Sequence, residues 1–195
     1  AGTILLIAVA LVGCGEGESA PAADAHATAD SLSPPEAAAP ETVAVVPAAT
    51  TAAGVSLASV GDIAAFLGEN AGKVLVINFW ATWCAPCVHE MPELAAFYSA
   101  YKDRGVAFLS LSSDSLEDYE TKLIPFVEER ELPFHVYAIA NVDPDELDDV
   151  LHVGMDFALP TTFVFDRDGQ IAQKWMRNIT RADLERAVEP LLAGP

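Results

Sequence analysis

Trp83-Cys84-Ala85-Pro86-Cys87 constrains this chain more than any other stretch, because of what lies on either side of it. Before it runs Lys73-Val-Leu-Val-Ile-Asn-Phe-Trp80, a continuous apolar segment of the kind that forms a strand buried on both faces. After it comes Val88-His-Glu-Met-Pro-Glu-Leu-Ala-Ala-Phe-Tyr98, with the spacing of an amphipathic helix. Two cysteines three apart at a strand-to-helix junction lie within reach of each other, since i and i+3 share a helix face. The first occupies the helix N-terminus, where unpaired N–H groups and the helix dipole favour a thiolate. A pair of thiols that exchanges with disulfides needs this arrangement.

Charge and cysteine usage narrow the field. With 29 acidic against 10 basic residues the formal net charge is -19, and no cluster of Lys and Arg offers phosphate a footing, so a nucleic-acid partner is excluded. Cys14, the third cysteine, ends Thr3-Ile-Leu-Leu-Ile-Ala-Val-Ala-Leu-Val12-Gly13, an apolar run too short to span a bilayer but suited to a secretory leader. Leu11-Val12-Gly13-Cys14 resembles the bacterial lipobox, which implies lipid on Cys14 and a protein held at the extracytoplasmic face of a membrane. The alternative reading is a membrane anchor that begins upstream of Ala1.

Residues 15–55 are rich in Ala, Pro, Ser and Thr, carry acidic side chains and contain no Lys or Arg. Such a stretch buries too little to offset its ordering entropy, so it is expected to be a disordered tether. The folded unit is expected over 56–195. Helices are predicted at 59–67, 84–103, 116–130, 144–151 and 181–192, and strands at 73–80, 106–111, 134–139, 161–166 and 170–176. Asp168-Gly169 marks a hairpin turn and Thr180 a helix N-cap. This order gives an α/β fold, a mixed central sheet with helices on both faces.

Cys84 is the candidate nucleophile and Cys87, one turn deeper, the resolving thiol. A structural disulfide would close too small a loop to stabilise much. A zinc site would need two more ligands, for which only His89 and the distant His135 are candidates, so no metal is expected. Ala85-Pro86 supplies no side-chain donor to hold a thiolate, which favours a reductant over a strong oxidant. Glu90 falls on the Cys87 face of the helix, where a carboxylate could take the proton of that thiol; a solvent-facing glutamate is the plain alternative. Asn78 is expected in the buried strand, Trp80 in the core and Trp83 at the rim of the site. Pro160 reads locally as an ordinary strand-entry proline.

Taken together, Val76-Ile-Asn-Phe-Trp-Ala-Thr-Trp-Cys-Ala-Pro-Cys87, Glu90-Met-Pro-Glu-Leu94 and Leu159-Pro160-Thr161 resemble the TlpA/ResA-like extracytoplasmic thiol-disulfide oxidoreductases, which have the thioredoxin fold. The resemblance implies that Pro160 is a cis-proline packed against the disulfide, so that Trp83, Leu159, Pro160 and Thr161 face the substrate. It also makes Glu90 the acidic residue beside the cysteines. Thioredoxin itself has an aspartate where this chain has Asn78, a departure that moves proton handling to Glu90. The implied partners are disulfide-containing extracytoplasmic proteins, with apocytochrome c among them, and an integral-membrane thiol donor of electrons. No cofactor is implied. A peroxiredoxin-like thiol peroxidase would need Thr where Ala81 stands, and a copper carrier would space its cysteines differently.

Overall fold

A computed structural model describes residues 54–154, 156 and 158–194. The leader, Cys14 and almost all of the expected tether lie outside these residues. Six strands form one mixed sheet: β1 (Val55–Leu57), β2 (Val74–Trp80), β3 (Val106–Ser112), β4 (Val136–Ala138), β5 (Thr161–Phe165) and β6 (Ile171–Trp175). Their spatial order is β1-β4-β3-β2-β5-β6, with β1, β4, β3 and β2 parallel and β5 and β6 antiparallel to their neighbours. The motif strand β2 is therefore central, which is why it reads as an unbroken apolar run.

Helices cover both faces. Val74, Val76 and Trp80 point to the face packed by α2 (Ala85–Tyr101), α4 (Ile124–Arg130) and α6 (Arg181–Leu192), against Met91, Leu94, Phe97, Val127, Leu184 and Val188. Ile77 and Phe79 point to the other face, against Ile63 of α1 (Val60–Glu69) and Leu147 and Leu151 of α5 (Pro144–Leu151). Burying each such side chain contributes about 1.5–3 kcal/mol. Asn78 shares the register of Val76 and Trp80, so its polar side chain is delivered to the α2 face.

Local chemistry sets the ends of the elements. Thr180 caps α6 in a capping box with Asp183, as expected, and Ser59 does the same for α1 with Asp62. Asp166 Oδ1 accepts from the N–H groups of Asp168 and Gln170, and Gly169 takes a φ of 77° that closes the hairpin between β5 and β6.

Four expectations need correction. Strand β1, three residues long, was not expected, and its first residue falls inside the span read as tether. The segment read as one helix over 116–130 is α3 (Leu116–Asp118), a π-turn (Tyr119–Leu123) and α4; Pro125, lacking an N–H, stands at the start of α4. The motif helix ends at Tyr101 and is followed by a 3-10 turn (Lys102–Arg104). The strand expected at 134–139 narrows to β4, which pairs with only three residues of β1 and three of β3.

Candidate active site

At the carboxyl end of β2 the chain turns directly into α2, and Cys84 is that helix's N-cap residue. Cys84 and Cys87 form a disulfide with a Cα–Cα separation of 5.3 Å. The Cys87 N–H donates to Cys84 Sγ at 3.4 Å, so one of the otherwise unpaired helix N–H groups already points at the first sulfur. Cys84 is 6 % exposed and Cys87 0 %, which leaves only the first open to attack from solvent.

Three hydrogen bonds fix the turn that carries Cys84. Asp114, fully buried just beyond β3, accepts from Thr82 N–H at 3.0 Å, from the Thr82 hydroxyl at 2.5 Å and from the Ser112 hydroxyl at 2.7 Å. Asp114 and Thr82 were not singled out from the sequence. The signal available was position, since ligand-facing groups of parallel sheets collect at the carboxyl ends of adjacent strands.

Glu90 is buried, 1 % exposed, not solvent-facing. Its Oε1 accepts from Asn78 Nδ2 at 3.1 Å and its Oε2 from the Ile179 N–H at 2.8 Å. Asn78 Nδ2 also donates to Thr162 Oγ1 on β5 at 3.0 Å. Burial pushes the Glu90 carboxyl up to about 7; the two N–H donors and the charge of Arg177 oppose that rise without cancelling it. A carboxyl of this kind changes protonation near neutral pH.

The residues expected to face the substrate lie together on the other flank. The Leu159–Pro160 bond is cis, as the resemblance implies. Because Phe79 pairs with Thr161, Pro160 lies beside the end of β2 that leads into the cysteine motif. Trp83 is 62 % exposed. Together with Phe79, Leu159, Thr161 and Phe163 it lines an apolar cavity of about 200 Å³, and Ser113, Asp156 and Ala158 complete its rim. Thr161 Oγ1 donates to the Ala158 carbonyl at 2.7 Å, which ties that rim to β5. Trp80 is in the core, its indole N–H donating to Ser110 Oγ at 2.8 Å. A wider groove of about 680 Å³, lined by Lys73, His152 and Arg167 among others, opens at the opposite end of the sheet and holds none of these residues.

The histidines weighed as zinc ligands are elsewhere. His89 is exposed on α2, while His135 hydrogen-bonds Ser56 Oγ at 2.8 Å beside β1, beyond β3 and β4 from the cysteines. Among the described residues no group of three or more His, Cys, Asp or Glu side chains gathers as a metal site, and no helix is long and apolar enough to cross a membrane.

Comparison with known proteins agrees with this geometry. The chain is 33 % identical over 125 residues to a thiol-disulfide oxidoreductase ResA from Geobacillus kaustophilus, covering 64 % of this chain and 67 % of that one. It is 35 % identical over 119 residues to a ResA from Bacillus cereus, covering 61 % and 64 %. The matches span about two thirds of those relatives' length. A secreted thiol-disulfide isomerase from Corynebacterium glutamicum shares the fold, with a TM-score of 0.55 at 23 % identity over 66 % of this chain and 75 % of the other. Residues 52–174 match the AhpC/TSA family. The chain belongs to that family and, with a Cys84–Cys87 pair on a thioredoxin-like fold, is a thiol-disulfide oxidoreductase.

Proposed function

We propose that this protein is a membrane-tethered reductase of extracytoplasmic protein disulfides, with Cys84 as nucleophile, Cys87 as resolving thiol and Glu90 as the acceptor of the Cys87 proton. The observation that carries the reading is the pairing of an N-capping Cys84, which receives the Cys87 N–H, with a buried carboxyl one turn after Cys87.

In the reduced protein the Cys84 thiolate attacks a substrate disulfide. The substrate S–S bond breaks, one substrate sulfur leaves as a thiolate and takes a proton from water, and a Cys84–substrate disulfide forms. Cys87 then gives its proton to Glu90, and its thiolate attacks Cys84 Sγ. The mixed disulfide breaks, the second substrate sulfur leaves reduced, and the Cys84–Cys87 disulfide closes. Two electrons pass from the dithiol to the substrate. A carboxylate whose proton affinity lies near neutral pH can take the thiol proton and return it.

The apolar cavity bounded by Trp83 and Leu159 suits a hydrophobic side chain of the substrate next to its cysteine, and cis-Pro160 presents backbone beside it. The oxidised Cys-x-x-Cys-His segment of apocytochrome c is a substrate of this description. Lipid on Cys14 would hold the domain at the membrane, where an integral-membrane thiol donor restores the dithiol. The secreted relative supports an extracytoplasmic setting.

The test uses the full chain. Reduced protein should reduce insulin and an oxidised Cys-x-x-Cys-His peptide without turning over peroxide, and Cys14→Ser should move the protein to the soluble fraction with exchange activity intact. Peroxide turnover without disulfide reduction would contradict the chemistry. A Cys14→Ser protein that stays with membranes would contradict the tether.

A further inference from the structure

Asn78 makes both of its hydrogen bonds through one atom. Nδ2 donates to Glu90 Oε1 at 3.1 Å and to Thr162 Oγ1 at 3.0 Å, while the enclosed Oδ1 has no hydrogen-bond partner. A buried amide oxygen left this way is uncommon and calls for a reason.

The reason lies in what Glu90 requires. With Oε2 taking the Ile179 N–H, both carboxyl oxygens face N–H donors, an arrangement that suits an ionised carboxylate, which can only accept. A protonated carboxyl adds an O–H that needs an acceptor, and neither neighbour offers one as placed. A half-turn of the Asn78 amide exchanges Nδ2 and Oδ1 within the same shape. Oδ1 then accepts from the Glu90 O–H and from the Thr162 hydroxyl, which donates as readily as it accepts. Each orientation makes two hydrogen bonds and leaves one end of the amide unpaired.

We propose that Asn78 is a two-position positioning residue that follows Glu90, donating to the carboxylate and accepting from the carboxylic acid. In this way the site can gain and lose a proton without water. The inference rests on Glu90 being the acceptor of the Cys87 proton. As Cys87–SH and Glu90–COO⁻ become Cys87–S⁻ and Glu90–COOH, the amide turns; when Glu90 releases that proton, it turns back. A fixed donor at position 78 would hold Glu90 ionised, and a second carboxylate would hold it protonated. The groups around Glu90 leave this task to the amide. Strands β2 and β5 bring only the uncharged Asn78 and Thr162, and α2 brings the cysteine pair. The loop before α6 brings the Ile179 N–H and Arg177, whose guanidinium is 3.5 Å from Asp183.

The experiment is a resonance titration of the oxidised full chain, with carbon label on glutamate carboxyls and nitrogen label on asparagine amides. The Asn78 side-chain amide should move with the same midpoint as the Glu90 carboxyl. In Asn78→Leu both protonation states of Glu90 lose their partner at position 78, the ionised one the stronger bond, so the Glu90 midpoint should rise by no more than about one pH unit, and the pH–rate profile for insulin reduction should move with it. An Asn78 amide that stays unchanged while Glu90 titrates overturns the proposal, even if the leucine variant fails to fold. So does a Glu90 midpoint that rises by well over about one pH unit in Asn78→Leu, since that would make Asn78 a fixed donor to the carboxylate. An unaltered pH–rate profile in Glu90→Gln overturns the proton-acceptor reading instead, independently of the resonance result.

Discussion

Replacing Glu90 by Gln should change how the stability of the oxidised protein depends on pH. An ordinary glutamate titrates at 4.5, whereas burial pushes Glu90 in the folded chain up to about 7. Between these values the folded protein holds a proton that the unfolded chain has released, so stability falls as pH rises through that window. The stabilisation from the raised carboxyl is present in full below 4.5 and is lost above about 7. The gap corresponds to about 3 kcal/mol at ~1.36 kcal/mol per pH unit. Glutamine does not ionise, so its variant lacks this loss. Its carbonyl can take the Ile179 N–H while its amide donates to Asn78 Oδ1 in the turned orientation, so any offset it carries is independent of pH. The informative quantity is therefore the difference between the two proteins, followed with pH. Urea unfolding from pH 4.5 to well above 7 should show that difference moving by about 3 kcal/mol in favour of glutamine. A difference that stays flat across the range would refute the reasoning, because it would mean that Glu90 titrates as a solvated carboxyl does.

Three further outcomes are expected. Brief iodoacetamide treatment of the reduced protein should label Cys84 well before Cys87, since only Cys84 lies at the open helix start; peptide mass spectrometry reads the order. Trp83→Ala should slow reduction of a protein disulfide by about 2–10-fold, the worth of an aromatic contact, while leaving the rate with a small-molecule disulfide unchanged. Asp114→Ala strips the acceptor from the Thr82 N–H and from two hydroxyls, and should lower the unfolding free energy in urea by about 3 kcal/mol.

What the sequence discloses here is whatever a short window can hold. The cysteine motif, its strand and its helix are legible because apolar run, turn and amphipathic spacing follow one another without a gap. The hairpin at Asp168-Gly169 and the cap at Thr180 are equally local. Strand β1 escaped because three residues show no period and the pairing that defines it lies with β4, far along the chain. The burial of Glu90 depends on partners 12 and 89 residues away, so helix phase places it on the Cys87 face but cannot say whether that face is dry. Asp114 grips Thr82 across 32 residues through side chains that look like any polar loop. The cis bond at Pro160 came from the resemblance alone, since Leu-Pro-Thr by itself reads as a strand entry.

The central claim, that electrons leave through Cys84 with Cys87 closing the cycle, is tested most directly by trapping. Reduced Cys87→Ala, mixed with oxidised insulin and examined by non-reducing mass spectrometry, should accumulate a covalent adduct whose single protein–substrate linkage is at Cys84, while Cys84→Ala gives none. An adduct formed through Cys87 in Cys84→Ala, with Cys87→Ala remaining free, would contradict the account.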